Sequence, residues 1–91
     1  MTLKDLQCFI AAYEAGSSVG ATKIARTAQS NISRRIRLLE KALGVDLFTR
    51  VRYGMEATPE GKKLYPMARR VLQDIERIQQ SFAGAKRRKH R

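Results

Sequence analysis

Three residues, Thr27-Ala28-Gln29, separate two amphipathic helical patterns, and this short interval restricts the architecture more than any other feature of the chain. On its N-terminal side Ala21, Ile24 and Ala25 form the inner face expected of a two-turn helix from about Val19 to Arg26. On its C-terminal side Ile32, Ile36, Leu39 and Leu43 recur at spacings of four, three and four, which predicts a helix from about Ser30 to Leu43, ended by Gly44. Two helices joined by so tight a turn form a helix-turn-helix.

The flanking patterns complete a small domain. Leu3, Leu6, Phe9, Ile10 and Tyr13 share one helical face, so a first helix is expected from Leu3 to Ala15, with Thr2 as its cap and Gly16 at its end. Ser17-Ser18 breaks the chain and offers the next cap. After Gly44 the periodicity changes. Val45, Leu47, Phe48 and Val51, then Arg52-Tyr53-Gly54 and Met55 to Ala57, read as a small hairpin anchored by Leu47 and Phe48. Thr58-Pro59-Glu60 is a strong helix start: Thr caps, Pro suits the first helical position, and Glu complements the dipole. The helix is expected to last until about Phe82, roughly 37 Å at ~1.5 Å per residue, with a bend near Pro66. The expected class is therefore mainly α: a winged helix-turn-helix of three helices and a β-hairpin wing over residues 1–58, a long linker helix over 59–83, and a basic, disordered tail over 84–91.

The charge names the kind of partner. Nineteen Lys and Arg against eight Asp and Glu give +11. The tail residues Lys86, Arg87, Arg88, Lys89 and Arg91 supply five of these charges; the remaining 14 basic and 8 acidic residues still leave +6. Such a field favours a polyanion, whether nucleic acid or an anionic membrane surface. A single cysteine, Cys8, excludes an internal disulfide and a cysteine-based metal site, and its place on an apolar stripe reads as core. No apolar run approaches a membrane span, and Asp5 and Gln7 interrupt any signal-like start, so a soluble, cytoplasmic setting is expected. The parts of an enzyme are missing. The only histidine, His90, lies in the basic tail, Glu60 reads as a helix-start residue beside Glu56, and there is no glycine-rich phosphate loop or metal-ligand cluster. No cofactor, metal or small-molecule ligand is assigned.

The first turn of the third helix carries the chemistry. In a helix-turn-helix this turn meets base edges in the major groove of double-stranded DNA. Here it holds Gln29, Ser30, Asn31, Ser33 and Arg34. Gln and Asn can pair with adenine, Arg with guanine, and Ser with a base or a phosphate. From Thr22 to Leu39 there are five basic residues and no acidic one, although a basic helical face alone is often just solvated. Gln29, Ser30, Asn31 and Arg34 are the base-contact candidates; Thr27, Ser33, Arg35, Arg37, Arg50 and Arg52 are the backbone and wing candidates. Two competing readings are a non-specific or RNA-binding basic protein and a protein-interaction module. RNA modules usually cluster surface aromatics, whereas Tyr13, Tyr53 and Tyr65 are scattered and only Tyr53 is placed to stack on a base.

The long helix implies a second copy. Val71, Leu72, Ile75, Ile78 and Phe82 continue an apolar stripe beyond the reach of a three-helix core. A twin helix related by two-fold symmetry is the simplest cover for such a stripe. A homodimer would place two recognition helices about one helical turn apart, ~34 Å, on an inverted repeat.

Residues 1 to about 80 resemble the N-terminal domain of LysR-type transcriptional regulators. The resemblance is carried by Leu6-Gln7-Cys8-Phe9, Glu14-Ala15-Gly16-Ser17, Ala21, Gln29-Ser30-Asn31-Ile32-Ser33-Arg34-Arg35-Ile36, Leu39-Glu40, Leu43 through Arg50, and Thr58-Pro59-Glu60-Gly61. It implies bacterial transcription regulation by a dimer or tetramer. Gln29, Ser30, Asn31, Ser33 and Arg34 fall at its recognition-helix positions, Arg50 and Arg52 at a wing that reaches toward the flanking minor groove, and the long helix at a linker that pairs with its twin. The sequence departs from the family at Ala25 and Ala57, where leucine is usual, and at Ala28, where a capping serine is frequent. Thr27 is expected to replace that cap in part. Family members also carry a C-terminal ligand-sensing domain of two α/β lobes, to which nothing in these residues corresponds.

Overall fold

The computed structural model describes residues 1–84. The basic run from Lys86 to Arg91, His90 included, lies outside them. Four helices and one hairpin follow in the order α1 (Leu3–Ala15), α2 (Ser18–Ala25), α3 (Gln29–Leu43), β1 (Phe48–Val51), β2 (Gly54–Ala57) and α4 (Pro59–Ser81).

Local chemistry sets most boundaries. Thr2 and Asp5 form a reciprocal capping box at the start of α1, and Gly16, left-handed at φ 73°, ends it. The Ser17 hydroxyl accepts from Gly20 N at 2.9 Å and starts α2. Gly44 closes α3 at φ 73°. Thr58 accepts from Gly61 N at 3.0 Å, with Pro59 in the first turn of α4. The helix-turn-helix turn itself is strained: Arg26 adopts φ 54°, ψ 49°, which costs a residue with a Cβ roughly 1–2 kcal/mol.

Two connected clusters form the core. In one, Leu6, Phe9 and Ile10 of α1 meet Leu39, Leu47 and Ala68, flanked by Tyr13, Phe48, Leu64 and Leu72. In the other, Cys8, Ala11, Ala12 and Ala21 meet Ile32 and Ile36. The alanines let α1, α2 and α3 approach closely. Burial pushes the Cys8 thiol up, so it stays neutral among these side chains.

Ile24, expected on the inner face of α2, is 52% exposed. Ser18, Ala21 and Ala25 take that face, and one helical step turns Ile24 away from it. The hairpin also starts later than the apolar run suggests. Leu47 N and Phe48 N donate to the Glu40 carboxylate at 2.8 and 3.3 Å, which holds the approach to β1 as a loop. From Phe48 onward β1 pairs antiparallel with β2, Phe48 opposite Ala57 and Val51 opposite Gly54. The ring centroid of Phe48 lies 5.5 Å from that of Phe9, which anchors the wing.

The start of α4 is stapled to the wing, where Thr58 N donates to Leu47 O at 3.0 Å and Thr58 Oγ1 to Asp46 O at 2.6 Å. A second fastening joins α4 to α1. Tyr13 and Tyr65 stack with centroids 4.0 Å apart, the Tyr65 hydroxyl donates to Glu14, and Arg69 lies 3.8 Å from the same carboxylate. The bond to Glu14, and burial after it, push the Tyr65 phenol up. These contacts aim α4 out of the domain and contribute to a particle 56 Å long but only 23 × 18 Å across.

Candidate nucleic-acid interface

Gln29, Ser30 and Arg34 are exposed at the start of α3, and Asn31 and Ser33 are half-buried. Ala28 has no side chain with which to cap α3; Asn31 N donates to Ala28 O at 3.1 Å, and the N–H groups of Gln29 and Ser30 remain open to an outside acceptor. Thr27 does not replace the cap as expected. Its hydroxyl oxygen accepts from Asn31 Nδ2 at 3.0 Å instead. Asn31 Oδ1 in turn accepts from Arg34 Nη2 at 2.8 Å, and Gln29 Nε2 donates to Ser18 Oγ at 3.1 Å. The candidate base readers are thus partly ordered before any partner arrives.

The wing shares a cleft with α3. Ser33 and Arg37 of α3, Arg50 of β1, and Phe48 and Met55 line it, with a volume of about 250 Å³. Arg50 and Arg52 are exposed, and Tyr53 between the strands is 89% exposed. Ser33, Arg37 and Arg50 thus share this cleft, Gln29, Ser30 and Arg34 are exposed beside it at the start of α3, and half-buried Asn31 lines a neighbouring cleft with Arg26 and Thr27.

Arg35 does not join them. Sequence reasoning placed it with the backbone candidates, but it turns toward α1 and donates to Asp5 Oδ1 at 3.0 Å. Asp5 is only 3% exposed. Burial alone would raise its pKa, but hydrogen bonds from Thr2 and Arg35, together with the Arg35 charge, outweigh it and hold the carboxyl below its ordinary value of 3.8. Stability from this pair is present above pH 3.8 and is lost as the pH falls through the lower, folded value. Asp5→Asn should cost about 1–2 kcal/mol at neutral pH and remove this part of the acid-side loss. Urea unfolding at neutral pH and at pH values below 3.8 checks both; an unchanged acid slope in the variant would show that the pair does not supply it.

Sequence reasoning also missed the Glu40 carboxylate as the brace of the wing. The Leu39-Glu40 pair was visible, but its acceptor role depends on N–H groups seven and eight residues away. In α4, Val71 and Ile78 are exposed at 42 and 60%, Met67 joins them, Ile75 is half-buried, and Phe82, just past the end of the helix, is exposed at 64%. Leu72, expected in the same stripe, packs instead on its own core. Among the described residues no helix is long and apolar enough to cross a membrane, and no group of three or more His, Cys, Asp or Glu is placed to hold a metal ion.

A helix-turn-helix followed by a two-stranded wing defines a winged-helix protein. Residues 3–62 match the family described as bacterial regulatory helix-turn-helix protein, lysR family. The chain belongs to that family. HTH-type transcriptional regulator CzcR of Bacillus subtilis is 38% identical over 82 residues, 90% of this chain and 28% of CzcR. HTH-type transcriptional regulator YofA of Bacillus velezensis is 38% identical over 81 residues, 89% of this chain and 28% of YofA. The chain thus spans little more than a quarter of these relatives. Among solved structures, the CbnR_DBD–DNA complex superposes with a TM-score of 0.86 at 35% identity, covering 94% of this chain and 99% of that one. The BenM_DBD complex with catB site 1 DNA gives 0.82 at 32% identity, covering 100% and 99%.

Proposed function

We propose that the chain is a sequence-specific double-stranded-DNA-binding domain that acts in bacterial transcription regulation, as a cytoplasmic homodimer and without enzymatic activity. The observation that carries this reading is the cleft joining Ser33 and Arg37 of α3 to Arg50 of the wing. One approach of the duplex can then meet both elements: the first turn of α3 in the major groove, the wing toward the flanking minor groove. Gln29, Ser30, Asn31 and Arg34 face base edges, with the uncapped N–H groups of α3 toward a phosphate. Ser33, Arg37, Arg50 and Arg52 serve the sugar–phosphate backbone; Thr27 acts through Asn31, and the charge of Arg35 is committed to Asp5. The DNA complexes of CbnR_DBD and BenM_DBD, and the names of CzcR and YofA, support the assignment. The dimer forms along α4 through Val71, Ile75, Ile78 and Phe82, and it reads an inverted repeat.

Selection of bound duplexes from a random pool tests the function. The expected product is an inverted repeat with half-sites about one helical turn apart, bound in the presence of excess random DNA. Gln29→Ala should relax one position in each half-site, at about 1–3 kcal/mol. Arg50→Ala and Arg52→Ala should weaken binding to all duplexes alike and flatten the salt dependence by about 0.9 in log–log slope per phosphate lost. Equal losses from all three variants on selected and random duplexes would contradict this division of roles.

A further inference from the structure

The hydrogen bonds on the exposed face of α3 form a chain: Asn31 Nδ2 donates to Thr27 Oγ1 at 3.0 Å, and Arg34 Nη2 donates to Asn31 Oδ1 at 2.8 Å. The spacing is that of neighbours on a helix, four residues back to Thr27 and three forward to Arg34. The orientation of the amide is forced. A guanidinium can only donate, so Asn31 must present its oxygen to Arg34. Its nitrogen then points toward the turn, where the Thr27 hydroxyl accepts. A flipped amide would set donor against donor.

From this we propose that Asn31 is a positioning residue for Arg34, and that Thr27, Asn31 and Arg34 together read a single guanine in each half-site. The inference rests on the DNA-binding reading above. An arginine on an exposed helix face samples many rotamers, and ordering it at the moment of binding weakens the contact. Here one Nη2 hydrogen is already fixed, while the other donors of the fork have no partner among the described residues. A planar fork with two free donors matches the O6 and N7 acceptors of guanine. Asn31 meanwhile commits one Nδ2 hydrogen to Thr27 and one Oδ1 lone pair to Arg34, which fixes the plane of its amide and ties its placement to that of Arg34. Thr27 anchors the chain to the turn. Sequence reasoning treated Asn31 and Arg34 as two independent readers; the geometry makes them one.

The test uses the 91-residue chain and the duplex selected by the wild type, with each base pair of the half-site varied in turn. Arg34→Ala should reduce the preference for guanine at one base pair by about 5- to 100-fold. Asn31→Ala should lose most of the preference at that same base pair, and the double variant should lose no more than Arg34→Ala alone. Asn31→Asp keeps the acceptor for Arg34 and lets the Thr27 hydroxyl donate, so it should bind every duplex more weakly yet retain the guanine preference. Thr27→Val should give a partial loss at the same position. Thermal melting of each variant separates these effects from a folding defect, because a folding defect lowers binding to every duplex in proportion. Asn31→Ala acting at a different base pair, additive losses in the double variant, or Asn31→Asp failing as Asn31→Ala does would each overturn the proposal. A wild-type chain that selects no duplex would overturn the functional reading itself and this inference with it.

Discussion

Ile78→Glu is expected to leave the protomer folded and to abolish the dimer proposed along α4. Ile78 is 60% exposed in α4 and belongs to neither core cluster, so the substitution removes little that holds one chain together. Met67, Val71, Ile78 and Phe82 lie at spacings of four, seven and four, a single stripe along the far side of the helix. Two-fold pairing of that stripe would bring each Ile78 into an apolar contact, and one substitution would place two carboxylates there. An uncompensated charge buried in such a contact costs about 3–5 kcal/mol. Sedimentation should then show a monomer where the proposed pairing makes the wild type a dimer. Affinity for the inverted repeat should fall by about 10²- to 10⁴-fold through loss of the linked second half-site, with a single half-site bound as before. A variant that sediments as a dimer would place the interface elsewhere.

How much of this molecule could be read from its sequence depends on how far apart the interacting groups lie. Most starts and ends of the helices were legible because their causes are adjacent to them; the left-handed Arg26 that ends α2 and the uncapped start of α3 were not. Thr2 with Asp5, Ser17 with Gly20, and Thr58 with Gly61 are each three residues apart, and Gly16 and Gly44 end their helices alone. The exposed polar turn of α3 was legible for the same reason. What escaped depends on contacts across the fold. Arg35 meets Asp5 thirty residues away, and nothing in the basic run of α3 marks it off from Arg34 or Arg37. Leu72 and Val71 are adjacent on one apolar stripe, yet only the packing of α4 against α1 decides that Leu72 is core and Val71 is left exposed. Ile24 left the core because a two-turn helix offers too narrow an inner face for every apolar residue on it. The coupling of Asn31 to Thr27 and Arg34 is local, and the spacing for it was present. Only the donor and acceptor geometry tells it apart from two separate contacts.

A large stability loss is expected from a small change, Gly61→Ala. In an exposed helix interior this substitution would stabilise by about 1 kcal/mol, because alanine is the better helix former. Here the sign reverses. A Cβ on Gly61 would lie 2.2 Å from Leu47 O, 3.2 Å from Leu47 C and 3.3 Å from the Cβ of Ala57. The first two obstacles are backbone, so no side chain can rotate aside. Leu47 is also the most constrained point of the loop: its carbonyl accepts from Thr58 N, its own N–H donates to Glu40, and its side chain is 1% exposed in the core. Moving it would strain the staple at the start of α4, the Glu40 brace of the wing, and the packing beneath both. Overpacking alone costs about 1–3 kcal/mol. With the attached hydrogen bonds disturbed, a total near 4 kcal/mol is expected, among the larger effects of single substitutions. For a domain of this size that corresponds to a fall in melting temperature of roughly 15–30 °C. Gly84→Ala, where a Cβ meets nothing within 4 Å, serves as the control and should melt with the wild type. If Gly61→Ala melts at or above the wild type, α4 does not cross the Leu47 carbonyl this closely, and the wing and the long helix are free to move independently.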